Sequence, residues 1–390
     1  MGYSYSQDKL GIYIHFPFCI HKCAYCDFYS IEIGKYGSNF QKEYFESLKK
    51  ELNFRIQENK IQSFKVDTVF FGGGTPSLAN KKELEDFLNY LNKKLFIDSN
   101  VEISLEANPE DINLENLQAW AQIGINRINV GIQTFYPNLL KKLDRYYQVE
   151  NYNTVLDKLS QGVIPRYGID LIYGIPTQTK EMFYEDVQKA IQSNVKHLSC
   201  YSLTVEKGTN YSRWIYEKKA TAPNEELQVE ILTELPTYLE SYGYFQYEVS
   251  NFSQREEECQ HNLGYWLMKP YLGLGAGAHG FYLNKRYANS RSLEAYLKGN
   301  FDKKGENVNS YMDFILSTFR IFSLVNLISF QDFWIHTKNF TQKLEEWKNK
   351  GDCFWDGTWF KWNPKILPIL DSYILELSKL EVDEIEKKTF

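Results

Sequence analysis

The sequence predicts an α/β protein: a parallel sheet, wound as an open sheet or a partial barrel with helices outside, and a separate small C-terminal domain. Three observations predict this. Short β-branched and aromatic runs alternate with longer helical patterns from the N-terminus to about residue 205. Each of the first five strands runs into an ending loaded with polar, glycine or proline residues. Beyond residue 205 the alternation stops and the pattern changes.

In chain order, strands are expected over 11–16, 66–71, 101–107, 127–132, 167–173 and 197–204. Helical patterns lie between them near 39–59, 80–95, 114–123, 136–143, 151–160 and 180–193. Six βα units in series imply parallel strands joined by right-handed crossovers. In such sheets ligands bind at the C-terminal ends of the strands. The endings HFPFC, FFGGGTPS, SLEANPE, VGIQTF and IDLIYGIP therefore converge on one mouth. Turn chemistry accounts for their glycines and prolines. It leaves Glu106, Gln133 and Asp170 unexplained, because these sit inside apolar runs, where burial without partners costs roughly 2–7 kcal/mol.

After residue 205 come a helix near 225–241, a short strand over 246–251, the segment HNLGYW and the small-residue run GLGAGAHG. From about 310 the pattern gives two or three amphipathic helices, a Trp-rich hairpin around Gly357 and a charged tail. The expected division is a lead over 1–10, a core over 11–215, an extension carrying HNLGYW over 216–309, and a small helical domain over 310–390.

A net charge of −6 argues against non-specific nucleic-acid binding, which needs a basic face. The first ten residues have no apolar leader. No run of about 18 uninterrupted apolar residues exists to span a membrane. The apolar stretch 314–330 contains Arg320 and Asn326 and reads as a buried amphipathic helix and its continuation. The expectation is a soluble, cytoplasmic protein. Its 29 Tyr and 26 Phe are either a compositional bias or the lining of a large site for a flat ligand.

Of six cysteines, Cys19, Cys23 and Cys26 crowd into one loop after the first strand, while Cys200, Cys259 and Cys353 stand alone. That pattern marks a metal site in a reducing compartment. A [4Fe–4S] cluster ordinarily takes four cysteines. Three leave one iron open, as catalytic zinc sites leave a position for substrate. S-adenosylmethionine (SAM) can chelate that iron and be cleaved there by one electron. The spacing also suits a structural zinc site completed by His15 or His21.

Taken together, YIHFPFCIHKCAYCDF, FFGGGTPS, LEANPE, GIQTF and DLIYGIP resemble the radical SAM family that contains oxygen-independent coproporphyrinogen dehydrogenase and the HemW-type haem chaperones. The likeness runs over about residues 10–375. It implies a partial (β/α)6 barrel, TIM-like, with a small C-terminal helical domain. It also implies Cys19, Cys23 and Cys26 as cluster ligands. Gly73 and Gly74 would approach SAM through the backbone, where a Cβ would intrude. Tyr13, Tyr25, Thr75, Glu106, Gln133, Arg145 and Asp170 resemble the family's SAM-site residues. Tyr13 and Arg145 have plainer readings, as a strand tyrosine and a surface arginine.

Within the family two departures point away from the dehydrogenase. The cysteine it carries two residues after the third is here Phe28, and only ten residues precede the first strand. The chaperones' HNxxYW motif is intact as His261, Asn262, Tyr265 and Trp266. Imidazole is a common haem ligand, and Tyr265 and Trp266 could pack on a porphyrin face. Read without the resemblance, the same residues are a helix-capping pair and two core aromatics. Cys259 is a competing iron ligand, and Cys200 reads as a small buried hydrophobe.

The resemblance thus implies a haem chaperone with a [4Fe–4S] cluster, SAM and haem. Its implied partners are haem-accepting proteins, respiratory ones among them, with room for a homodimer and peripheral membrane association but none for nucleic acid. The alternative is the dehydrogenase itself.

Overall fold

The computed structural model describes residues 2–6, 8–35, 37, 39–59, 64–146, 152–301 and 305–382. Strands β1 (Lys9–Phe16), β2 (Lys65–Gly73), β3 (Phe96–Ala107), β4 (Arg127–Gln133), β5 (Arg166–Tyr173) and β6 (His197–Ser202) lie side by side, parallel, in sequence order. The intervening helices are α1 (Phe40–Asn59), α2 (Lys81–Lys94), α3 (Leu114–Ile123), α4 (Pro137–Lys142), α5 (Tyr152–Ser160) and α6 (Lys180–Gln192).

Local chemistry explains where these helices start and stop. Asn80 and Asn113 accept backbone N–H bonds as caps of α2 and α3, and Thr179 does the same for α6. Gly124 ends α3 in the left-handed conformation. α2 buries Leu84, Phe87, Leu88 and Leu91 at helical spacing. Six parallel strands in sequence order, alternating with helices, are the series of βα units expected of a partial (β/α)6 barrel.

The sheet extends past both ends of that series. β7 (Asn251–Ser253) runs antiparallel beside β6. The strand expected over 246–251 is instead two short strands, Phe245–Gln246 and β7, paired across a turn. On the far side, β8 (Tyr271–Leu274) pairs parallel with β1, followed by antiparallel β9 (His279–Tyr282) and β10 (Lys285–Ala288). β8 lacks a strand-like sequence for a packing reason. A Cβ on Gly273 would come within 1.8 Å of the His279 carbonyl oxygen.

After β6 come α7 (Asn210–Tyr216), α8 (Glu225–Glu240), α9 (Gln260–Trp266) and α10 (Leu293–Leu297). The C-terminal part is mainly helical, with helices Ser310–Thr318, Phe340–Asn349 and Leu370–Ser378. It also holds a small sheet. The Trp-rich hairpin forms from Cys353–Trp355 and Trp359–Trp362, with Gly357 at φ 93° between them. Leu324–Asn326 joins this hairpin, so the stretch after Thr318 turns into a strand. Gly2–Tyr3 adds the fourth strand, parallel to Leu324–Asn326. Trp347 and Trp362 are fully buried in this second core.

Candidate cluster, SAM and haem sites

Side chains alternate along a strand, and the register lines up one polar face across the sheet. Gly11, Tyr13 and His15 of β1 face Thr68, Phe70 and Gly72 of β2. Thr68 and Phe70 face Glu102 and Ser104 of β3, and Glu106 faces Asn129 of β4. The upper end of this face meets the cysteine loop, and the lower end meets α9.

At the upper end, a two-residue parallel pairing of Phe18–Cys19 with Ile31–Glu32 closes the loop that carries the cysteines. All three thiols are free. Thr75 Oγ1 donates to Cys19 Sγ at 3.5 Å, and Arg145 Nη1 donates to Cys23 Sγ at 3.5 Å. Arg145 also reaches Tyr25 Oη at 3.2 Å, Asn108 Oδ1 at 3.2 Å and the Gly131 carbonyl at 3.0 Å. It is therefore no surface arginine. Burial raises the Cys19 thiol's pKa and pushes that of Cys26 up to about 11; bound iron would hold both as thiolates. His15 is engaged at both ring nitrogens, with Tyr13 Oη at 3.0 Å and the Tyr29 carbonyl at 2.8 Å. As placed, it offers no fourth ligand for zinc. His21 Nε2 pairs with Asp144 at 3.0 Å.

The glycine run has reasons of its own. A Cβ on Gly74 would meet the Phe16 and Phe18 backbones at 2.8–2.9 Å, and one on Gly73 would meet the His15 ring at 2.6 Å. Close approach of β2's end to the cysteine loop accounts for both residues. The Gly73 N–H is taken by Glu106 Oε2 at 3.1 Å.

Glu106 on β3 and Asp170 on β5 form an acidic pair across the intervening strand β4. Burial, then the charge of Asp170, raises the Glu106 pKa to about 8, although the Gly73 N–H opposes this. Burial raises that of Asp170 to about 6. Gln133 is held at φ 69°, an uncommon conformation for a side-chain-bearing residue, beside Arg145. The structure thus brings Tyr25, Thr75, Arg145 and the cysteines together, and sets Glu106, Gln133 and Asp170 on neighbouring strand ends.

At the lower end, α9 packs its HNLGYW sequence against the sheet. His261 is 2% exposed. Its Nδ1 bonds Thr68 Oγ1 at 2.9 Å and its Nε2 bonds Tyr265 Oη at 2.8 Å. Its ring stacks on Phe70 at 5.1 Å and lies 6.4 Å from Tyr13. Burial, then Lys269, pushes its pKa well down, so the ring is neutral. The N-terminus of α9 is fixed by Glu102, which accepts from the N–H groups of Gln260 at 3.2 Å and His261 at 3.1 Å. Cys259, fully buried, donates to the same carboxylate. Arg127 pairs with Glu102 at 2.9 Å and donates to the Glu257 and Glu258 carbonyls.

The radical SAM superfamily model matches residues 13–190. The haem chaperone HemW of Buchnera aphidicola subsp. Acyrthosiphon pisum is 33% identical, over 82% of this chain and 84% of that protein. HemW of Escherichia coli is 30% identical over 82% and 85%. The chain belongs to the HemW family. HemW of Lactococcus lactis is 36% identical over 75% of each chain. Coproporphyrinogen III oxidase (HemN) of E. coli shares the fold at a TM-score of 0.78, with 20% identity over 96% of this chain and 91% of that one. No described helix is long and apolar enough to cross a membrane.

Glu102 and Arg127 escaped the sequence reading. The signal was available: Glu102, Ser104 and Glu106 alternate along β3, so Glu102 points to the same face that made Glu106 conspicuous.

Proposed function

We propose that this protein carries haem, binding it at the HNLGYW motif and passing it to acceptor proteins, on a scaffold that also holds a [4Fe–4S] cluster and SAM. The observation that carries the reading is α9: an intact HNxxYW helix fixed by Glu102, with its aromatic residues beside a recess. Cys19, Cys23 and Cys26 would hold the cluster, whose donor set of three free thiols on one loop fits it. Glu106, Gln133, Asp170, Tyr13 and the Gly73–Thr75 backbone would hold SAM. When bound, the cluster supplies single electrons to its open-site ligand.

The chain's own residues do the rest. Arg145 orients Cys23 and Tyr25 and places positive charge beside the thiolates. Glu102 and Arg127 hold α9 in register against β3 and β4. Tyr13 links the two ends, since its hydroxyl bonds His15 and its ring lies over His261. Haem ligation by His261 would replace the Tyr265 hydroxyl at Nε2, so Tyr265 is the adjacent alternative ligand.

Reconstituted protein should shift the haem Soret band on titration. It should not convert coproporphyrinogen III with SAM and a reductant under anaerobic conditions. Robust turnover without haem binding would replace this reading with the dehydrogenase.

A further inference from the structure

The recess beside α9 has the chemistry of a site for a flat carboxylic acid. Tyr271 on β8 faces Phe281 on β9, and Phe281 faces Arg286 on β10, so the three stand in one cross-strand row. Tyr265 meets Tyr271 edge-on at 4.6 Å. With Trp266 and Lys269 they border a recess of about 190 Å³. Pockets that enclose a drug-sized molecule run to about 300–1,000 Å³. A tetrapyrrole would therefore lie against this recess with part of its ring outside, which suits a carrier that must give up its cargo.

The two bordering cations differ in what they are free to do. Lys269 is turned away: its Nζ pairs with Asp67 at 2.5 Å and donates to Thr68 at 3.2 Å. Arg286 stands at the rim with its side chain 53% exposed and its guanidinium 5.7 Å from the Phe281 ring centre. Among the described residues its guanidinium is hydrogen-bonded to Asp313 alone. A guanidinium has five N–H donors in a planar fork that fits a carboxylate.

We infer that Arg286 recognises a propionate of the porphyrin, while Trp266, Tyr271 and Phe281 take the ring. This rests on the haem-carrier reading above. Asp313 then acts as a stand-in carboxylate that holds the guanidinium at the rim and competes with the incoming group.

The test titrates the full-length protein with haem and with haem dimethyl ester, which keeps the ring but lacks both charges. Wild type should prefer the free acid by roughly tenfold, about 1.4 kcal/mol. Arg286→Ala should lose that preference and keep its affinity for the ester, and Asp313→Asn should enlarge the preference. Wild type that binds neither ligand overturns the carrier reading and this inference with it. Wild type that binds haem, with Arg286→Ala retaining the full preference, overturns the inference alone. Circular dichroism checks each variant's fold. If Arg286→Ala does not fold, Asp313→Asn decides, and an unchanged or smaller preference overturns the assignment.

Discussion

Glu102→Gln should weaken the protein chiefly at α9. The substitution keeps the shape of the side chain and removes its charge, and the structure shows what depends on that charge. Arg127 beside it is 0% exposed, and removing one member of a buried ion pair costs about 3–5 kcal/mol. The carboxylate also accepts two backbone N–H groups, each hydrogen bond to a charged group contributing about 1.5–3 kcal/mol. Gln keeps one acceptor oxygen, and Arg127 keeps the carbonyls of Glu257 and Glu258. The expected loss therefore lies near the lower end of the ion-pair range, about 3 kcal/mol. Hydrogen exchange is the direct assay, because the amides of Gln260 and His261 rest on different oxygens of that carboxylate and Gln keeps only one of them. Their protection should fall well below that of β1 and β2 amides in the same sample. Haem affinity should fall with it. The double variant Glu102→Leu, Arg127→Met leaves no unpaired charge buried, yet it should not restore that protection, since Leu offers the two amides no acceptor. A change under 0.5 kcal/mol, or a loss of protection spread evenly over the barrel, would refute the assigned anchoring role.

Replacing Cys19, Cys23 and Cys26 together by Ala should abolish the visible absorption and the roughly four irons per chain of the reconstituted wild type; retained iron would move the cluster elsewhere. The same variant should keep haem affinity within about tenfold, because α9 sits at the other end of the sheet. Glu106→Gln tests the acidic pair. A carboxyl whose folded pKa is raised from 4.5 to about 8 contributes no penalty below pH 4.5 and a growing one up to pH 8. In SAM-free protein the variant should therefore melt higher than wild type at pH 8, with the gap closing by pH 5. A gap independent of pH would mean that Glu106 is already ionised at low pH.

The barrel was legible because β-branched and aromatic runs alternate with helical patterns, three of them opened by the caps Asn80, Asn113 and Thr179, two periodicities that seldom coincide by accident. β8 was not, because Gly273 within it is there to let β9 approach closely, and glycine carries no strand signal of its own. Of the upper site, Glu106, Gln133 and Asp170 announced themselves as polar residues within apolar runs. Arg145 did not: its charged neighbours on the chain suggested solvent, and only the fold turns it toward Cys23. The haem motif was legible as a pattern, yet its burial was not. Nothing local in HNLGYW says that His261 spends both ring nitrogens on Thr68 and Tyr265, since Thr68 comes from a strand nearly two hundred residues earlier.

Gly2 and Tyr3 complete a sheet whose other strands begin at Leu324, while β1 starts at Lys9 in the barrel. A short strap of chain therefore joins the barrel to the second hydrophobic core, to which Tyr247, Leu263, Met268 and Phe281 also belong. During synthesis at about 5–20 residues per second, these residues wait tens of seconds for their partner strand to be made. A barrel that folds during synthesis does so without them, and docking of the strap then waits for Leu324–Asn326. Gly2 also lies so close to Trp359 that an added Cβ would fall 2.2 Å from the ring. Even a small side chain at that position should leave the barrel intact and release the strap.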